Sequence, residues 1–244
     1  MESEELDGLT FWEHIGELRS RILTSVLAIA VGTGIAHYFN QEIIALLLRP
    51  IKSQSLAFLS PLDPLFLIIK VDLFAGLILA FPVICLNFLF FIRPTLKNSH
   101  WLGLLGLIVS STLLLIVGLA YAYFIVAPIS IGFLLSIKIN GIENIITVQN
   151  YLAFFLTQSF VAALIFQIPL VTAIGSYFGL FNARFVATKR RYIYVAGLVA
   201  LALLTPTPDV FNLAVVAIPT LAIFEGSLIV ARVVEYFKNR NKPA

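Results

Sequence analysis

Residues 66–92 read F-L-I-I-K-V-D-L-F-A-G-L-I-L-A-F-P-V-I-C-L-N-F-L-F-F-I. The run is longer than the roughly 20 apolar residues that a helix needs to cross a bilayer core about 30 Å thick. Pro82 lies inside it, and Lys70 and Asp72 are its charged members. The same ruler marks apolar runs at 22–39, 101–126, 151–178 with Pro169 inside, and 210–230 with Pro219 and Glu225 inside. A shorter run, 192–204, follows the basic cluster Lys189-Arg190-Arg191. At 1.5 Å per residue it covers about 20 Å, less than the bilayer core. Either the flanking cations snorkel and the bilayer thins there, or this helix rests on neighbours away from full-thickness lipid.

Composition agrees with these runs. Of 244 residues 60% are hydrophobic and 12% charged, and the mean hydropathy is +0.99. A soluble domain must face water and has no use for so much apolar surface. The sequence predicts an all-α integral membrane protein of six transmembrane helices, with a short fifth span and a kinked sixth. Residues 1–244 form one membrane domain, with 1–21 as a cytoplasmic amphipathic segment and 231–244 as a cytoplasmic tail. The chain begins M-E-S-E-E-L-D, acidic and without an apolar core behind a basic region, so the first span is expected to direct insertion. Cys85 is the single cysteine, which excludes an internal disulfide and a thiolate metal site.

Charge sidedness sets the orientation. With both termini inside, cytoplasmic segments hold Arg19, Arg21, Arg93, Lys97, Arg184, Lys189, Arg190, Arg191, Arg232, Lys238, Arg240 and Lys242. Arg49, Lys52, Lys70 and Lys138 are left for the outer side. The excess of Lys and Arg inside selects this topology. The outer connections 40–65 and 127–150 carry Pro50, Pro61, Pro64 and Pro128 as helix breakers, and their apolar stretches predict short helices over the outer face.

Ahead of the first span, residues 10–21 read T-F-W-E-H-I-G-E-L-R-S-R. Thr10 with Glu13 forms a capping box that predicts a helix start. Phe11, Ile15, Leu18 and Ile22 share one face, while Glu13, Glu17 and Arg21 share another, with Glu17 and Arg21 in the favoured i, i+4 order. The segment reads as a helix lying on the membrane, or as a carboxylate held ready for a cationic ligand.

An ionisable group at the centre of a span costs roughly 2.5–3.5 kcal/mol to insert, so each needs an account. Lys70 and Asp72 fall near the start of their run and read as interfacial. Glu225 lies roughly 8 Å inside the end of its run at helical rise; it is either satisfied within the bundle or a partner for another subunit or substrate. Gln167, two residues before Pro169, forms a polar notch with the carbonyl that the proline frees near Ile165. A neighbouring helix of the chain or a separate protein could close that notch. Asp209, after T-P-T-P, suits the N-cap of the last helix. Hydrolytic, redox and phosphate-binding motifs are missing, and His14, His37 and His100 are dispersed. No enzyme activity, cofactor, metal or nucleic-acid partner is expected.

Several blocks resemble the TatC family, the multi-spanning subunit of the twin-arginine protein translocase. They are H-I-G-E-L-R-S-R at 14–21, S-P-L-D-P-L-F at 60–66, F-I-R-P-T-L at 91–96 and G-L-A-Y-A-Y-F-I-V-A-P at 118–128. F-Q-I-P at 166–169 and L-T-P-T-P-D-V-F-N…A-I-P…F-E across 204–225 complete the set. The resemblance implies a receptor in the cytoplasmic (inner) membrane, or in a thylakoid or other organellar membrane. Such a receptor binds twin-arginine signal peptides of folded cargo, recruits TatA/TatB-type single-span proteins, self-associates in a larger complex and draws on the proton gradient. By match to the family's motifs, Glu17, Leu18, Arg19, Phe91, Pro94 and Leu96 are signal-peptide residues, Gln167, Thr205 and Glu225 contact a partner helix, and Asp209 is an acid of the outer turn. His100 stands where the family usually carries a glutamate, and no arginine-binding role passes to it. A reading of another class, a proton-coupled small-solute transporter, would use Glu225 and Gln167.

Overall fold

The structure, a computed structural model, describes residues 11–51, 56–92, 101–137, 146–179, 183–205 and 209–240. It is mostly helical. Among the described residues, five helical stretches are long and apolar enough to cross a membrane: Ile15–Tyr38, Asp63–Phe91, Leu104–Ser136, Val148–Tyr177 and Val210–Tyr236. Their outward faces are apolar; Leu27, Val31, Leu73, Val117 and Ile218 are all exposed, as side chains solvated by lipid would be.

The first helix, α1 (Phe11–Tyr38), runs antiparallel to α3 (Asp63–Ile92). Contacts in register along the pair fix it. His37 meets Asp72 at one end, Gly32 and Thr33 lie against Gly76 midway, and the Asn87 amide donates to Ser25 Oγ at 3.1 Å farther along. A Cβ on Gly32 would lie 2.6 Å from the Gly76 carbonyl oxygen, and one on Gly76 would lie 2.5 Å from the Thr33 nitrogen. Only bare glycine backbone lets the helices approach this closely, a common device where lipid removes the hydrophobic drive between spans. Thr24, Ser25 and Thr33 return their hydroxyls to carbonyls one turn back, so they add no unmet donor inside the membrane.

α3 starts at Asp63, ahead of the apolar run, because its carboxylate accepts the backbone N–H groups of Leu59 and Ser60, both at 3.0 Å. Between α1 and α3 lie α2 (Asn40–Leu48) and a tight turn, Arg49–Ile51, so the first long connection does carry a short helix. The two-residue strands β1 (Leu56–Ala57) and β2 (Ile146–Thr147) pair in parallel. That pairing sets the start of α3 beside the start of α6 (Val148–Ile165). A core of Leu47, Ile51, Leu67, Val71, Ala127, Ile131, Val148, Tyr151, Leu152 and Phe155 fills this strand end of the bundle. Tyr123 and Tyr151 donate to the Leu46 and Leu47 carbonyls there, adding side-chain partners to acceptors at the end of α2.

Pro128 does not break the third span, contrary to its reading as a helix breaker. α4 (Trp101–Tyr121) passes through a π-helical turn, Ala122–Val126, into α5 (Ala127–Ser136). Ala127 N–H bonds Ala122 O, a wider i→i−5 closure that shifts the ladder before the proline arrives. Pro128 then sits in the first turn of α5, where a missing N–H costs little. Pro169 has the larger effect. α6 stops at Ile165, Gln167 N–H turns back to Leu164 O at 3.0 Å, and α7 (Ile168–Phe178) begins with the proline near its start. α7 ends on Gly179 at φ 74°, the left-handed conformation of a helix C-terminus. α8 (Ala183–Thr188) and α9 (Arg190–Leu204) follow, then α10 (Val210–Arg240). At helical rise the 15 residues of α9 measure about 22 Å. Val126, Val161, Ile165, Leu201, Val216 and Ala217 form a second core between α6, α9 and α10.

Pro219 lies inside α10 and removes the N–H that would bond Val215 O. The Tyr121 hydroxyl donates to that carbonyl at 2.7 Å. A helix defect on one span is thus filled by a side chain from another.

Candidate functional site

The sequence-predicted residues fall in three places. The first joins the start of α1 to the end of α3. Glu17 Oε1 accepts from Arg21 Nη2 at 3.2 Å, as their spacing predicts. The Arg21 guanidinium lies 5.2 Å from the centroid of the Phe90 ring, a cation–π distance. Arg21 therefore ties the Glu17 carboxylate to the chain position next to Phe91. Arg19 is exposed, and Ile15, Leu18 and Ile22 are 43%, 40% and 53% exposed. The apolar stripe of this helix start faces outward and is not consumed by the bundle. Thr10, Pro94, Leu96 and His100 lie outside the described residues, as does the Glu13 side chain.

The second place is the break before α7. Gln167 Nε2 donates to Ser111 O at 3.2 Å, and Ser111 Oγ donates to Cys85 Sγ at 3.1 Å. The donor side of the notch is closed by α4 of the same chain. Its Oε1 is buried without a hydrogen bond, so an acceptor remains to be met.

The third place is the contact of α9 with α10. Glu225 Oε1 accepts from Arg190 Nη1 at 3.3 Å and from the Tyr194 hydroxyl. Its side chain is 44% exposed. Of the two readings left open for this acid, internal hydrogen bonding is the one present, with enough surface left for a further contact. Thr205, at the end of α9, is buried and its hydroxyl is unmet. Asp209 caps α10: Oδ1 accepts the Asn212 N–H and Oδ2 the Asn212 amide, both at 2.7 Å, the geometry of an N-cap bonding its third helical residue.

Several polar contacts between helices escaped the sequence reading, those of Asp72 and Tyr121 among them. Asp72 is buried against α1, with His37 Nδ1 at 2.6 Å. The Tyr121–Val215 bond likewise joins residues far apart in sequence. The available signals were an acid within an apolar run and a proline inside a span. Neither names its partner.

A family model described as the Sec-independent protein translocase protein TatC matches residues 13–219. The chain belongs to the TatC family. A TatC from Aquifex aeolicus is 33% identical over 226 residues, which span 90% of this chain and 93% of that protein. A chloroplastic TATC of Arabidopsis thaliana is 30% identical over 220 residues, 89% of this chain and 65% of its own length. A crystal structure described as the twin arginine translocase receptor TatC superposes with a TM-score of 0.78 at 32% identity, covering 91% of this chain and 99% of that one. The family-model match takes in nearly all of α1, all of α2 to α9 and the first part of α10, and hence the first two places and Arg190, Tyr194, Thr205 and Asp209 of the third; Glu225 lies beyond it. The chain is a multi-pass membrane protein and a Sec-independent protein translocase protein by family. These TatC relatives are named as translocase proteins, and none of them supports the small-solute transporter reading. That reading also meets Glu225 and Gln167 already engaged on separate helix contacts.

Proposed function

We propose that this TatC chain is the signal-peptide receptor and core subunit of a twin-arginine translocase, exporting folded proteins with energy from the proton gradient. The observation that carries the reading is the Glu17 carboxylate, held by Arg21 beside the end of α3. Two adjacent arginines of a signal peptide need fixed carboxylates in bidentate, charge-assisted pairs, a geometry that lysine does not reproduce. An exposed ion pair contributes at most about 1 kcal/mol. An incoming arginine can therefore displace Arg21 from Glu17 at small cost, with the Phe90 ring as a platform. Leu18 and Arg19 flank the carboxylate and Phe91 supplies the other wall; Pro94 and Leu96 belong to the same site by their match to the family's motifs.

In this reading the chain spans the membrane six times with both termini in the cytoplasm, α9 being the short fifth span and α10 a kinked sixth. The sidedness of Lys and Arg supports that orientation. Gln167, Thr205 and Glu225 serve contacts with single-span TatA/TatB-type helices, and copies of the chain associate in a larger complex. The unmet Oε1 of Gln167 supports the first of these assignments.

The test is photo-crosslinking. A twin-arginine signal peptide should label residues 10–21 of the membrane-embedded chain, and replacing its arginine pair by lysines should weaken the label. Equal labelling by both peptides would overturn the receptor reading.

A further inference from the structure

On the side of the bundle where α3 meets α6, an open groove of about 360 Å³ runs between the two helices. Lys70, Leu73, Phe74 and Leu77 of α3 form one wall, and Ala153, Leu156 and Thr157 of α6 the other. The spacings i, i+3, i+4, i+7 and i, i+3, i+4 place each set on a single helix face. The parallel strand pair holds both helix starts together, so the groove opens near the strand end and descends toward the middle of the bilayer.

The polar groups along it are few and accounted for. Thr157 has spent its hydroxyl on Ala153 O at 2.8 Å. Below Lys70 the groove therefore presents apolar side chains and no unspent side-chain donor. Lys70 itself is exposed and belongs to none of the ion pairs among the described residues, which are Glu17–Arg21, His37–Asp72 and Arg190–Glu225. Asp72, two residues on, lies on another face of α3 and is held by His37, so it does not neutralise Lys70. From the start of α3, Lys70 lies about 10 Å along the helix. Its stem is long enough to bring the ammonium to headgroup depth.

One uncompensated cation above an apolar channel fits one kind of ligand. A polar solute would meet no partner below the lysine. A helix with side chains is about 10–12 Å across, too broad to enter such a groove. An acyl chain fills the channel and leaves its phosphate at the lysine. We propose that the α3–α6 groove binds an anionic phospholipid, its headgroup on Lys70 and one chain along Leu73, Leu77 and Leu156. The site is independent of the receptor reading and would survive its failure.

Native mass spectrometry of the full chain in detergent tests this, with phosphatidylglycerol and phosphatidylcholine added separately. Phosphatidylglycerol should bind more strongly, and Lys70→Met should weaken it about fivefold, the worth of one cation near a headgroup. Phosphatidylcholine binding should fall less in that variant, because its choline already neutralises the phosphate. Ala153→Phe, which fills the channel from α6 and keeps Lys70, should weaken both lipids. Equal affinity for the two lipids, or no loss on Lys70→Met, overturns the proposal. A benzophenone side chain at Leu77 in native membranes should label lipid; labelling of a protein there overturns it as well.

Discussion

His37 Nδ1 and Asp72 Oδ2 lie 2.6 Å apart across α1 and α3, joining a side chain 66% exposed to one 6% exposed. Removing the imidazole leaves a carboxylate that is buried and uncompensated. Breaking a fully buried ion pair costs roughly 3–5 kcal/mol, whereas an exposed one is worth about 0–1 kcal/mol. With one partner exposed, His37→Leu should cost about 2 kcal/mol of stability, between those limits. The paired variant His37→Leu with Asp72→Leu should recover most of it. Thermal unfolding in detergent of the two singles and the double gives the coupling, and additive losses would show that the contact carries no coupling.

The Tyr121 hydroxyl and the Val215 carbonyl make a second cycle. Hydrogen bonds between spans average about 0.6 kcal/mol and reach about 1.7 kcal/mol. Tyr121→Phe should cost an amount in that range while the proline leaves Val215 O open. Pro219→Ala returns an N–H that can bond the same oxygen within α10. The cost of Tyr121→Phe should then shrink in the Pro219→Ala background. An undiminished cost would mean that Tyr121 acts through packing.

These two contacts mark the limit of what the sequence discloses. Apolar run length identified the five long spans because crossing a bilayer needs a fixed number of residues. The Pro169 break, the Asp209 cap and the Glu17–Arg21 pair were legible because each depends on neighbours within four residues. Asp72 was read only as interfacial because its helix was started at Phe66; the Asp63 cap starts α3 earlier and puts Asp72 in the third turn. Its partner lies 35 residues away, a separation that no local pattern encodes. The Pro128 misreading has a different cause. A proline forbids one bond, and a π-helical turn supplies another route that residue type alone does not reveal. Glu225 was legible as an acid in a span, but Arg190 and Tyr194 come from a separate helix.

The crossing of α1 and α3 depends on glycine at two positions, Gly32 and Gly76, and not on Gly34. Gly76→Ala places a methyl group against the Thr33 backbone and forces the helices apart. Overpacking of this kind costs about 1–3 kcal/mol. The shift should also lengthen the His37–Asp72 and Asn87–Ser25 contacts, since both bridge the same pair. A Cβ on Gly34 meets nothing within 4 Å, so Gly34→Ala should be neutral or slightly stabilising. Detergent thermal stability of the two variants measures the difference, and equal values would place the close approach elsewhere.

Glu17 faces a choice of cations, and that choice sets the last prediction. In the free chain it holds Arg21 in a pair 36% and 23% exposed, a contact of small net worth. A signal-peptide arginine meeting the same carboxylate displaces water and gains a charge-assisted bond worth roughly 1.5–3 kcal/mol. Glu17→Gln keeps the shape and the hydrogen-bonding oxygen but removes the charge. Affinity for a twin-arginine signal peptide should fall about 10- to 100-fold, while the thermal unfolding temperature stays close to that of the parent. Fluorescence anisotropy with a labelled peptide reads the first quantity, and differential scanning fluorimetry reads the second. A twin-lysine peptide should lose less on the same substitution, because a lysine never made the bidentate pair. If both peptides lost equally, Glu17 would be contributing a general negative field. If neither lost affinity, recognition would rest on other carboxylates of the chain and Glu17 would serve only to hold Arg21.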